Sequence, residues 1–205
     1  PVVLTPQPIN SVVTIVFDKS GSMGDIVLDA NGNSISRYDL ALNAVNELVK
    51  TYDSLGEVRV NVVMFDGNVQ GGVSQWYTNA TDVVDRIDNY TDGGSTDYDD
   101  PLRALVTNND SSPTGFNADQ KFVYFLSDGE PNTSDYRNQI IDYESTWKTW
   151  SDANYDEVYS IGVGSGVSDT YLNLVASENA DGTENTIIIP DESELVQKLL
   201  DTVPQ

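Results

Sequence analysis

Asp18-Lys19-Ser20-Gly21-Ser22 sets a carboxylate and two hydroxyls on alternate residues, with a glycine between the serines that lets the loop fold tightly. Hard oxygen donors of this kind suit Mg²⁺ or Ca²⁺ and suit zinc poorly. Two further loops carry matching chemistry. Ser127-Asp128-Gly129-Glu130-Pro131 offers a second carboxylate, and Thr91-Asp92-Gly93-Gly94-Ser95-Thr96-Asp97 offers the Thr96 hydroxyl. The chain has no His and no Cys, which removes Ser-His-Asp and Cys-His catalysis, disulfides and the usual zinc ligand sets.

Strands must deliver these loops. Val12-Val13-Thr14-Ile15-Val16-Phe17 is a β-branched and aromatic run that reads as a buried strand ending at Asp18, and residues 121–126 form a second such strand ahead of Asp128. Between them the spacing predicts a helix over 37–52, with Leu40, Ala44, Val45, Leu48 and Val49 on one face and Ser36 as its cap. A strand over 57–65 follows, then a short antiparallel strand over 72–76 after the tight Asp66-Gly67-Asn68 turn. Helices are expected over 81–90, around Leu102 to Val106, and over 138–150, 168–176 and 191–203, with strands over 157–163 and 186–189.

Alternating strands and helices imply an α/β fold with a mostly parallel sheet, in which ligands sit beyond the carboxyl ends of the strands where strand order reverses. If the strands ending at Asp18 and Asp128 are central neighbours, five oxygen donors surround one position: Asp18, Ser20, Ser22, Thr96 and Asp128.

Residues 24–36 interrupt this scheme. Asn31-Gly32 between Ile26-Val27-Leu28 and Ser34-Ile35-Ser36 predicts a small inserted hairpin beside the serine loop. An EF-hand reading of Asp29 onward fails, because the sixth position is Ser34 where Gly is required and the twelfth is Leu40 where Glu is required. The acidic pairs Asp99-Asp100 and Asp181, Glu184 could hold additional Ca²⁺, against a plainer reading as solvated loop charge. Gly162-Val163-Gly164-Ser165-Gly166 lacks the sixth-position glycine of a dinucleotide fingerprint and reads as a turn.

Composition bounds the partners. With 205 residues and 39% hydrophobic content the chain can bury a full core as one domain, expected over 10–203, with linker at 1–9 and the start of another at 204–205. Thirty-three acidic against ten basic residues give a net charge of −23, which argues against nucleic acid and anionic membranes and favours a cation-rich setting. No apolar run reaches the length of a membrane span. The absence of an initial Met or signal-like segment fits a piece of a longer multidomain chain.

Asp-x-Ser-x-Ser after the first strand, Gly-Gly-Ser-Thr-Asp before a helix and Ser-Asp-Gly-Glu-Pro after the later strand together resemble the von Willebrand factor A domain and its metal-ion-dependent adhesion site. The resemblance covers residues 10–203. It implies a Rossmann-like doubly wound sheet of about six strands, five parallel and one antiparallel edge strand at 72–76, flanked by helices. It also implies that Ser20 and Ser22 bind Mg²⁺, Ca²⁺ or Mn²⁺ directly, that Asp18 and Asp128 do so directly or through water, and that Thr96 enters or leaves with conformational state. A partner's Asp or Glu would fill the open position. The acidity and the lack of Cys and His are similar to the A domains of large bacterial RTX adhesins exported by type I secretion. That likeness implies an extracellular, cell-surface adhesion role, of the kind met in biofilms. Two other functions compete with it: a structural spacer whose ion only stabilises the fold, and a metal-dependent hydrolase, for which, without His or Cys, only a carboxylate such as Glu130 could serve as base.

Overall fold

In the computed structural model, which describes residues 7–91 and 93–204, the first predicted strand is the axis of the molecule. The strands are β1 (Ser11–Asp18), β2 (Ile26–Leu28), β3 (Ser34–Ser36), β4 (Val58–Phe65), β5 (Val69–Gln70), β6 (Trp76–Tyr77), β7 (Gln120–Ser127), β8 (Glu157–Val163) and β9 (Thr186–Ile189). The helices are α1 (Arg37–Leu55), α2 (Ala80–Asp88), α3 (Asp99–Asn108), α4 (Ser134–Asn154), α5 (Asp169–Leu172) and α6 (Leu195–Leu200). Short 3₁₀ turns lie at Gly21–Gly24 and Glu192–Glu194.

All eight residues of β1 are buried, because helices cover both faces of the sheet. Val13, Ile15 and Phe17 point into a core shared with α1, α2 and α6, whereas Val12 and Val16 point into a core shared with α3, α4 and α5. The sheet order is β5-β4-β1-β7-β8-β9, with β6 also pairing with β4. β1, β4, β7, β8 and β9 run parallel, and β5 and β6 run antiparallel to β4. The chain leaves β1 towards β4 on one side and returns to β7 on the other. Strand order therefore reverses between β1 and β7, and their carboxyl ends carry Asp18 and Ser127-Asp128.

Three expectations need correction. The antiparallel edge is not one strand over 72–76 but two two-residue pieces, β5 and β6, with residues 71–75 between them outside any strand. Gly71, Gly72 and Ser74 adopt φ of 68°, 78° and 64°, which breaks a pleated ladder. The helix expected over 168–176 is α only to Leu172; it continues through i→i+3 bonds, Leu174 to Tyr171 and Val175 to Leu172, that drop Val175 and Ala176 into the core. The last helix starts as a 3₁₀ turn and stops at Leu200.

Other expectations hold. β2 and β3 form the inserted antiparallel hairpin, closed by Gly32 at φ 78°. Ser36 caps α1, its hydroxyl accepting from the Asp39 N–H at 2.9 Å. Of the expected 1–9 linker, residues 1–6 lie outside the described residues, as does Gln205 of the expected 204–205 stretch. Ile9 is tied to the domain by donating its N–H to the Leu55 carbonyl at 2.8 Å. No helix among the described residues is long and apolar enough to cross a membrane.

Candidate metal centre

Asp18 ends β1 with no solvent exposure. Its Oδ1 accepts from the Ser20 N–H at 2.7 Å and its Oδ2 accepts from the Ser127 hydroxyl at 2.5 Å. Burial pushes its pKa from the ordinary 3.8 to about 7; the bonds from Ser127 and Ser20 offset part of that rise, and the charge of Asp128 adds to it. Among the described residues no cationic side chain forms an ion pair with Asp18, and a divalent ion at the loop mouth would supply a counter-charge.

The two serines follow, Ser20 at the N-cap of the 3₁₀ turn Gly21–Gly24 and Ser22 within it. Ser20 Oγ lies 3.4 Å from Ser22 Oγ, and Ser22 Oγ donates to Asp128 Oδ1 at 2.7 Å. Asp18, Ser20, Ser22 and Asp128 thus meet through direct contacts, although Ser22 and Asp128 are 106 residues apart in sequence. Thr96 is tied to the Asp128 loop by its backbone, exchanging bonds with Asn132: its N–H to Asn132 Oδ1 and its carbonyl from the Asn132 N–H, both at 3.4 Å; among the described residues no hydrogen bond joins its hydroxyl to the other four donors. Its loop is anchored at either side, by Gly93 N–H to the Lys19 carbonyl and Asp97 N–H to the Asp66 carbonyl, each 2.8 Å.

Lys19 fixes the serine loop from below. Its side chain is 1% exposed, and its ammonium donates to the carbonyls of Ile87, at 2.8 Å, and Tyr90, and to the Tyr38 hydroxyl at 3.3 Å. Those carbonyls close the carboxyl end of α2, where a cation also meets the negative end of the helix dipole.

Three functional side chains escape the sequence reading. Ser127 orients Asp18, as described. Arg37, the first residue of α1, donates from Nη1 to Asp128 Oδ2 at 2.6 Å and to the Ser22 carbonyl at 3.0 Å. Its Nη2 donates to Glu192 Oε1 at 3.2 Å. Burial alone would lower the Arg37 pKa, but the bonds and charges of Asp128 and Glu192 outweigh it and raise the pKa above its ordinary range. One sequence signal was available: a cation in the first turn of a helix opposes the dipole, so a side chain placed there answers to something outside the helix.

Among the described residues, no three His, Cys, Asp or Glu side chains gather as a metal cage. A metal centre here must therefore use hydroxyls, and the donor set at the β1–β7 crevice fits that requirement: two carboxylates, two serine hydroxyls in mutual contact and a threonine loop alongside. The guanidinium on Asp128 already marks the position as one that takes positive charge. The acidic pairs considered for extra Ca²⁺ have protein partners instead. Asp99 pairs with Arg103, Asp100 accepts from the Val69 N–H, Asp181 closes a turn on Thr183, and Glu184 pairs with Lys148 at 2.9 Å.

A family model for the von Willebrand factor type A domain matches residues 13–202. The chain belongs to that family. The loops of this A domain that meet at the crevice are those carrying its Asp-x-Ser-x-Ser, Thr96 and Asp128 motifs. Similar solved structures include proximal thread matrix protein 1 from the mussel byssus, at 22% identity and TM-score 0.66 over 94% of this chain and 46% of that one. A form of the same protein described as having a zinc-occupied MIDAS motif aligns at 21% identity and TM-score 0.66, covering 94% and 47%. The PilB minor pilin from Streptococcus sanguinis aligns at 20% identity and TM-score 0.65, covering 98% and 61%. The A domain thus spans between about half and three-fifths of the chains it resembles, and at these identities the likeness concerns the fold. No curated protein matches.

Proposed function

We propose that this A domain is a non-enzymatic, metal-dependent adhesion module of a large bacterial surface protein. A divalent cation, Mg²⁺ or Ca²⁺ with Mn²⁺ as a substitute, is held by Asp18, Ser20, Ser22, Thr96 and Asp128 and recruits an Asp or Glu side chain of a protein partner. The observation that carries this reading is the 2.7 Å contact of Ser22 Oγ with Asp128 Oδ1, beside the buried Asp18. Neutral hydroxyl ligands leave the ion's charge only partly compensated, so a partner carboxylate gains more there than at an all-carboxylate cage.

Several features support the setting. The net charge of −23 suits an ion-rich exterior, and the byssus and pilin proteins of similar fold are, by their names, parts of extracellular assemblies. The acidity without Cys or His supports an RTX adhesin exported by type I secretion as the host chain. Hydrolysis is disfavoured by composition: with no His and no Cys in the chain, only a carboxylate such as Glu130 could serve as a base. The hairpin stands at the rim of the site, with Ile26 and Leu28 69% and 57% exposed, where it can meet a partner.

An array of peptides with one central Asp or Glu, probed with the domain in Mg²⁺ and again in EDTA, tests this function. Capture is expected only with Mg²⁺ and only by the acidic peptides, not by their Asn or Gln counterparts. Stabilisation by Mg²⁺ with no carboxylate-dependent capture would favour the structural spacer instead.

A further inference from the structure

Arg37 ties α1 to three segments that are separate in sequence: residues 22–25, the Asp128 loop and the turn at Glu192. Its backbone N–H donates to the Asp25 carbonyl at 2.8 Å and closes the base of the hairpin. Its side chain is 14% exposed, and the guanidinium reaches the Ser22 carbonyl, Asp128 and Glu192 and lies 3.6 Å from Asp25 Oδ2. Asp128 has no exposed side-chain surface, and its oxygens are divided: Oδ1 takes the Ser22 hydroxyl, and Oδ2 takes Arg37.

A buried carboxylate without a counter-charge is costly, and the guanidinium already provides one. We propose that Arg37 is a built-in counter-cation of the metal centre: it keeps Asp128 compensated and the loops assembled when no ion is bound, and it opposes the ion when one arrives. The proposal rests on the metal-binding reading given above. Its physical basis is that a divalent ion beside Asp128 stands a few ångströms from a fixed positive charge in a poorly solvated place, where like charges repel far more than in water. The domain thereby gains an ion-free fold at the expense of ion affinity. Glu192, 3.2 Å from the same guanidinium, brings the turn ahead of α6 into this arrangement.

The test is calorimetric titration of Mg²⁺ at constant ionic strength into wild type, Arg37→Gln, Arg37→Lys and Arg59→Gln, with melting curves in EDTA and in saturating Mg²⁺. Arg59→Gln makes the same charge change at the opposite end of the sheet, where Arg59 pairs with Glu57. Arg37→Gln should melt lower in EDTA, recover in Mg²⁺ and bind Mg²⁺ about tenfold more tightly. Arg37→Lys keeps the charge and should keep affinity near wild type, as should Arg59→Gln. Arg37→Gln that folds only with Mg²⁺ is the same result in stronger form. Affinity unchanged or weakened in Arg37→Gln, tightening matched by Arg59→Gln, or unfolding with and without Mg²⁺ would overturn the proposal alone. Wild type that binds no Mg²⁺ would overturn it together with the metal-binding reading.

Discussion

At the scale of the residue, the site depends on a few buried groups whose costs are met by specific neighbours. Lys19 is the clearest case. A lysine is rarely 1% exposed unless its ammonium is paired, and here it satisfies carbonyls at the end of α2 while forming part of the metal loop. Lys19→Met removes the charge, takes its ammonium from the Tyr90 carbonyl and leaves the Ile87 carbonyl with the longer 3.4 Å bond from the Tyr90 N–H, so we expect a loss of ~2–3 kcal/mol in urea unfolding. A loss below ~0.5 kcal/mol would mean that the carbonyls find other partners. Asp18, Ser20 and Ser22 were legible as candidate donors because alternating Asp and Ser after an apolar run is a local pattern, whereas Thr96 and Asp128 stand in separate loops and were joined to them by the family resemblance. Lys19, Arg37 and Ser127 were not legible in the same way. Each acts on a residue that is distant in sequence or on backbone, and no spacing rule announces such a contact.

At the scale of the element, the reading succeeded where burial sets the pattern. β8 and β9 have the bounds that their hydrophobic runs suggest, and β1 differs by one residue at its start from the run ending at Asp18. It failed at the sheet edge, where positive-φ residues split one expected strand into β5 and β6, and in the short α5, where tertiary packing of Val175 and Ala176 overrode helical periodicity. The hairpin was legible from Asn31-Gly32, but its clamp was not. Asp29 Oδ1 accepts from the backbone N–H groups of Asn31 and Asn33, each at 2.8 Å. Hydrogen bonds from Asn33, backbone first and side chain second, lower the Asp29 pKa below 3.8. A carboxylate depressed in the folded state stabilises it fully above the ordinary value, and that contribution is lost as pH falls through the folded value. The amide resonances of Asn31 and Asn33 should therefore titrate together with a midpoint below 3.8, and a midpoint at or above it would contradict the clamp.

At the scale of the whole molecule, topology makes the site. Reversal of strand order between β1 and β7 brings Asp18 beside Ser127 and Asp128, which no segment of the chain could do alone. The same molecule carries a net charge of −23, so compaction works against self-repulsion. Raising NaCl from about 20 mM to about 500 mM should raise the melting temperature in EDTA, because screening shortens the reach of that repulsion. A melting temperature indifferent to salt would show that the acidic side chains are already well separated or locally paired.

The central claim is that Asp18, Ser20, Ser22, Thr96 and Asp128 form one divalent-cation site. Its most direct test is titration of Mg²⁺ into the domain and into Ser22→Ala, whose missing hydroxyl is the group that touches both Ser20 and Asp128. Wild type should bind a single Mg²⁺ at this site, and Ser22→Ala should lose that binding while remaining folded in EDTA. Equal binding by both proteins, or none by either, would contradict the claim.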